Sequence, residues 1–211
     1  MYHVPQFREE SLAAQHALIR ANPLGMLISN GPDGIIANPV PFLIYDEGDR
    51  GVLRCHLSRA NPQWQALVSR PNALVVFQGV DRYITPSWYP SKAEHGKTVP
   101  TWNYAIVQCR GVAEVIHDTG WLHANVSALS DAHEAGRPAP WAVTDAPPSY
   151  IAGQLKGIVG IEIPVTAIDG KFKASQNRPE PDRAGVASGL MTEGTEAALA
   201  MRELVKERGG V

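Results

Sequence analysis

The stretch "CHLSRANPQW", residues 55–64, is the densest piece of potential chemistry in this chain. An apolar strand ends on a hydroxyl, Ser58, and a guanidinium, Arg59. Asn61 and Pro62 then open a helix, Asn61 as a cap and Pro62 as a favoured first residue. A helix start offers unpaired N–H groups and partial positive charge, and a guanidinium binds phosphate in bidentate fashion. Ser58, Arg59 and Asn61 are therefore candidate phosphate ligands. The competing reading is a capped helix with Ser58 and Arg59 in water.

A second group lies in "YITPSWYPSKAEHGKTVPTWNY", residues 83–104, which holds Tyr83, Trp88, Tyr89, Trp102 and Tyr104. Tyrosine and tryptophan join an apolar body to a polar tip, so they suit either a core boundary or the wall of a pocket for a flat ligand. A third group is "KASQNRPEPDRAGVASGL", residues 173–190, with Lys173, Ser175, Gln176, Asn177, Arg178 and Arg183. It reads as a polar loop, either solvated or closing a ligand site.

Other chemistries lack their signatures. The seven histidines show no HExxH or Cys/His zinc spacing. His56, His95 and His123 are conceivable haem ligands without specific support. GxSxG, GxGxxG and a P-loop are absent, as is any legible Ser-His-Asp set. Cys55 and Cys109 sit in strand-like surroundings and read as reduced core thiols. A net charge of −2, with no basic stripe, gives no footprint for nucleic acid. The N-terminal segment has no apolar core of a signal peptide, and no run is long enough to cross a bilayer. A cytoplasmic protein is expected.

The elements that position these groups follow from periodicity and turn residues. A first helix is expected over Arg8–Arg20, burying Leu12, Leu18 and Ile19. "GMLIS" and "IIANPVPFLIYD" are strands joined by "NGPDG", with Pro39 and Pro41 marking an edge or a bulge. "VLRCHL" is a third strand. A helix carrying Trp64, Leu67 and Val68 stops before Pro71. "NALVVFQG" and "YITPSWY" read as separate strands. "VPTWNYAIVQCRGVAEVIH" is long and bent near Gly111. Asp118 caps a helix with Trp121, Leu122, Val126 and Leu129. "SYIAGQLKG" is a short helix, and "IVGIEIPVTAIDGKFKA" is a strand pair or one long strand. A last helix carries Thr192 as its possible cap. Many strands with short turns and inserted helices indicate a mainly β, α+β protein, with a β-barrel core and peripheral helices.

"YITPSWYPSK", "KTVPTWNYAIVQCRG" and "FKASQNRPEPDRAGVASGL", with the opening "MYHVPQF", resemble the PaiB-type proteins, described as FMN-binding negative transcriptional regulators. The resemblance covers almost the whole chain. It implies one FMN-binding split-barrel domain over 1–211, ending in a loop and helix, and a homodimer with FMN at the subunit interface. It assigns the FMN phosphate to Ser58, Arg59 and Asn61, with His56 beside them. Backbone at Ala37, Asn38, Pro39 and Val40 would face the flavin's polar edge. Trp102 and Asn103 would form pocket wall and dimer interface together. Lys173, Gln176, Asn177 and Arg178 would come from the late loop. No metal is implied. The family name implies a regulator, yet no helix-turn-helix with a basic recognition helix is legible, so DNA binding rests on the name alone. A flavin-dependent oxidoreductase, and more remotely a haem-binding split barrel, remain alternatives.

Overall fold

A computed structural model describes residues 1–2 and 4–211. In chain order, β1 is Arg8–Glu9, α1 Leu12–Ala21, β2 Leu24–Gly31, β3 Gly34–Pro41, β4 Leu43–Tyr45 and β5 Val52–Ser58. Then come α2 Gln63–Ser69, β6 Asn72–Ile84, α3 Ser91–His95, β7 Thr101–Val112, β8 Glu114–Ile116 and α4 Thr119–Glu134. The chain closes with α5 Pro148–Leu155, β9 Ile158–Lys173, α6 Glu180–Glu193 and α7 Glu196–Gly209. The strands pair in the order β3-β2-β6-β7-β9-β5-β4, with β1 and β8 added on β9. The path has two ends, β3 and β4, so the barrel is split rather than closed. The mainly β reading with peripheral helices holds.

Two compact units are built on these strands. The first comprises Met1–Leu18, Gln78–Val107 and Asp169–Val211; the second comprises Ile19–Phe77 and Gln108–Ile168.

In the second unit β2 and β3 form a hairpin turned at Gly34, whose φ of 126° is open to glycine alone. Among the described residues β3 pairs with β2 alone, which is where Pro39 and Pro41 can sit without costing ladder hydrogen bonds. Strict alternation on β5 sends Leu53, Cys55 and Leu57 into the core and leaves His56 and Ser58 on the other face. Phe42, Phe77, Leu27, Leu67, Leu122, Ile161 and Ile163 are almost wholly buried around them. Both cysteines are free and buried.

In the first unit α6 and α7 fold back as a hairpin over Ile84, Tyr89 and Ala174. Val186, Leu190, Ala198, Met201 and Val205 complete that core. Gly194 ends α6 in the left-handed conformation, with φ 68°.

Several expectations are corrected. Arg8 and Glu9 are not helical but pair with Lys171 and Gly170 of β9, and α1 starts at Leu12, which is exposed. Val68 is exposed too, and the buried residues of α2 are Gln63 and Leu67. "NALVVFQG" and the start of "YITPSWY" are one strand, β6. Gly79 does not end it, because its missing side chain only makes room for Leu18. The polar loop after Pro90 contains the one-turn helix α3. The supposed loop after Lys173 is largely α6. Its glycines and serine lower helix propensity, but Gly185 and Gly189 let α6 lie directly on Trp88, and that packing outweighs propensity. The cap of the last helix is Thr195, whose hydroxyl accepts from Ala198 N–H, and not Thr192.

Candidate functional site

The second unit builds a tight turn where β5 ends. Arg59 N–H donates to Gly157 O at 2.8 Å, and Asn61 N–H to Ser58 O at 2.9 Å. Ser58 Oγ accepts from Ala60 N–H at 3.3 Å, and Asn61 Oδ1 from Gln63 N–H at 3.0 Å. Asn61 thus ties down the first backbone amide of α2, although the residue at the cap position is Pro62. α2 has seven residues, so the charge of this corner resides in Arg59 rather than in a helix dipole.

The Arg59 guanidinium is fixed but exposed. Nε donates to Lys156 O at 3.0 Å and Nη2 to Ile158 O at 2.8 Å, while Nη1 lies 3.4 Å from His117 Nδ1. Trp64 Nε1 donates to Arg59 O at 2.9 Å, and the Trp64 and His117 rings meet edge to face at 5.5 Å. Two of the five guanidinium N–H groups serve carbonyls and a third faces His117. The remainder of the fork stays at the surface, and Ser58, the preceding residue, is exposed as well. A pre-oriented, exposed guanidinium fits a phosphate group.

On β3, Ala37 and Pro39 are exposed and Val40 is buried. Asn38 Nδ2 donates to Gln63 Oε1 at 2.9 Å. Gln63 is completely buried, and its amide nitrogen donates to Leu27 O at 3.0 Å and Ser29 Oγ at 3.1 Å. This brace between β2, β3 and α2 was not legible in the sequence. His56 is half-buried, and burial pushes its pKa below the ordinary histidine value. Its Nδ1 lies 3.4 Å from Asn125 Nδ2.

The first unit holds the other sequence-derived residues. Trp102 is 54% exposed, whereas Asn103 is wholly buried. Asn103 Nδ2 donates to Ser175 Oγ at 2.8 Å. Lys173 Nζ donates to Thr101 Oγ1 and Trp102 O. Its pKa is lowered, first by burial and then by the neighbouring charges of Lys171 and Arg178. Gln176 is used locally: Oε1 accepts from Ala174 N–H at 2.7 Å, and Nε2 donates to Phe172 O at 2.6 Å. Asn177 is exposed, and the Arg178 guanidinium lies 4.8 Å over the Tyr89 ring. Ser175 and Asp182 are further polar residues whose burial the sequence does not signal. Asp182 is buried and accepts from both the N–H and the hydroxyl of Ser91.

Among the described residues no group of three His, Cys, Asp or Glu side chains is placed to hold a metal, and no helix is long and apolar enough to cross a membrane.

The family described as "Putative FMN-binding domain" matches residues 1–167. The chain belongs to this PaiB-type FMN-binding family. An uncharacterised protein of Emericella nidulans is 34% identical, over 99% of this chain and 98% of that protein. The "Protease synthase and sporulation protein PAI 2" of Bacillus subtilis is 29% identical, over 99% of this chain and 98% of its own length. Among solved structures, the flavocytochrome Anf3 of Azotobacter vinelandii has a similar fold. Its TM-score is 0.60 at 16% identity, covering 87% of this chain and 78% of that one. The split-barrel fold and FMN as cofactor class follow from this membership.

Proposed function

We propose that the protein is a homodimeric, cytoplasmic FMN-binding regulator of the PaiB type, with 1–211 acting as one functional domain. The observation that carries the reading is the Arg59 guanidinium, held at the surface by two backbone carbonyls and flanked by Ser58 and Asn61. In this reading Arg59 and Ser58 bind the FMN phosphate, Asn61 keeps the turn that presents them, and the backbone from Ala37 to Val40 meets the polar edge of the ring. His56, whose pKa burial lowers, lies near the end of β5, two residues before Ser58. Bound FMN supplies electron or hydride exchange at its ring; the chain supplies binding and orientation.

The dimer is supported by the outer face of the β2–β3 hairpin. Leu24 is 65% exposed and Ile35 76%, and Met26 lies between them across from Pro39. An apolar face of this kind marks an association surface. Regulation is proposed to run through flavin or a small metabolite. α7 interleaves Glu196, Glu203 and Glu207 with Arg202, Lys206 and Arg208, which is no basic recognition helix.

The test is a visible spectrum of the purified protein after FMN addition and desalting, with sedimentation of the same sample. A retained flavin band on a dimer is the expected result. A protein that releases FMN and sediments as a monomer would overturn the reading. Anaerobic bleaching of bound flavin by a reduced nicotinamide would move the assignment to a flavin-dependent oxidoreductase.

A further inference from the structure

Within the first unit, β6 and β7 border a cleft of about 370 Å³ lined by Gln78, Asp81, Trp102, Tyr104 and Ile106. Trp102 and Tyr83 are both large, exposed aromatics, at 54% and 46%. Their rings stand edge to face, with centroids 5.9 Å apart and planes at 72°. Trp102 lines the cleft and Tyr83 stands against it, so the pair presents partly exposed aromatic surface as a corner beside the cleft. Asp81 supplies a carboxylate there. Its Oδ2 accepts from Gln78 Nε2 at 2.8 Å, and among the described residues it has no cationic partner. Its neighbour Arg82 is already engaged by Glu193 and Thr195.

Exposed aromatic faces carry negative quadrupole potential and attract ammonium groups. The same strand region shows the effect with a group of its own: the Lys171 ammonium lies 5.6 Å from the Tyr104 ring centroid and 5.5 Å from that of Tyr2. No lysine or arginine lines the cleft. A neutral ring stacked on Trp102 would leave the Asp81 carboxylate uncompensated, whereas an organic cation satisfies carboxylate and rings together.

We infer that this cleft is a binding site for a small organic cation, a protonated or quaternary amine, held by the Trp102 and Tyr83 rings and the Asp81 carboxylate. The site is independent of the FMN reading, because it uses none of Ser58, Arg59 or Asn61. It gives Trp102 a ligand other than the flavin.

The test is calorimetric titration of the full-length protein, at constant ionic strength, with choline and with its neutral isostere 3,3-dimethylbutan-1-ol. Saturable binding of choline and none of the isostere is expected. Asp81→Asn and Tyr83→Leu should each weaken choline about fivefold or more, the scale of one cation–π or ion-pair contact, with FMN retention unchanged. Both side chains are at the surface, and an unchanged urea midpoint checks the fold. Equal binding of the isostere, or unchanged affinity in both variants, overturns the proposal; so does a silent titration, the result if a second copy covers the cleft. A capped lysine, N-acetyl-lysine methylamide, separates sources. Weaker binding than choline keeps the free amine, and tighter binding assigns the corner to a lysine of another protein and overturns it.

Discussion

Asn103 and Ser175, 72 residues apart in sequence, are joined by one buried hydrogen bond of 2.8 Å, and Ser175 makes it from left-handed backbone at φ 64°. Among the described residues Ser175 is the only non-glycine residue with positive φ. Both side chains are almost wholly buried, and Asn103 Oδ1 has no partner. The turn after β9 is thus held by the Asn103 amide from below and closed by Gln176 from within.

Ser175→Ala keeps the backbone strain and removes the acceptor. The buried Asn103 amide then loses its partner, which costs about 1–3 kcal/mol. A fall of that size in urea stability, with the slope unchanged, is the expected result. An unaltered midpoint would show that the bond contributes nothing net.

Gly185 carries the approach of α6 to the aromatic segment. A Cβ there would stand 2.0 Å from the Trp88 carbonyl oxygen, which is backbone and cannot swing aside. Gly185→Ala must therefore push α6 off Trp88, and overpacking of this kind costs about 1–3 kcal/mol or more. Increased hydrogen exchange confined to α6 and α7 is the expected signature. Gly136→Ala, where a Cβ meets nothing within 4 Å, is the control.

Glu9 is 5% exposed and pairs with Arg208 of α7, whose guanidinium also lies 5.0 Å from the Phe172 ring centroid. Arg208→Met leaves a buried carboxylate without its counter-charge, a loss on the order of 3–5 kcal/mol. The double variant Glu9→Leu/Arg208→Met should recover much of that in thermal or urea unfolding. A double variant no better than the single one would mean that packing, and not charge, holds α7.

His56 sets a pH dependence whose sign follows from burial. Its folded pKa lies below the unfolded value of about 6.5. The unfolded chain therefore binds the proton first. Stability from this group is full above about pH 6.5 and is lost as pH falls from there through the folded pKa. His56→Gln should flatten that part of the stability profile between pH 7.5 and 5. An identical profile in both proteins would rule His56 out as its source.

What the sequence disclosed divides along physical lines. β2 and β5 were legible from alternation and turn residues, and so was the part of "IIANPVPFLIYD" that forms β3; that this run breaks at Phe42 into β3 and β4, at opposite ends of the strand order, was not, and Pro39 and Pro41 left edge and bulge both open. α4 was legible from Asp118, which does accept from Trp121 N–H. α6 was not, because Gly185, Ser188 and Gly189 read as loop and become helix only against Trp88. Gln63 and Asn103 were not read as buried, since burial of an amide depends on partners distant in sequence: Leu27, Ser29 and Asn38 for one, Ser175 for the other. The fold and family were thus readable from patterns and long motifs. The polar contacts that brace the candidate site were not.

Arg59 is the residue on which the flavin reading stands. Its guanidinium already serves Lys156 O and Ile158 O, so a phosphate meets a side chain whose orientation is fixed before binding. Pre-orientation lowers the ordering cost that a free arginine would bear. Arg59→Ala should weaken FMN by about 1.5–3 kcal/mol, the scale of a charge-assisted hydrogen bond, or roughly 10- to 150-fold in Kd. Arg59→Lys separates charge from fork. Lysine retains the charge but cannot hold two carbonyls and a phosphate in one plane, so it should recover only part of the affinity. His117→Gln removes the Nδ1 contact and should have a smaller effect in the same direction. Fluorescence titration of FMN gives all three, with near-UV circular dichroism confirming an intact fold. Unchanged affinity in Arg59→Ala would leave the guanidinium as a strut for the Lys156 and Ile158 carbonyls, where α5 gives way to β9, and move the phosphate site elsewhere.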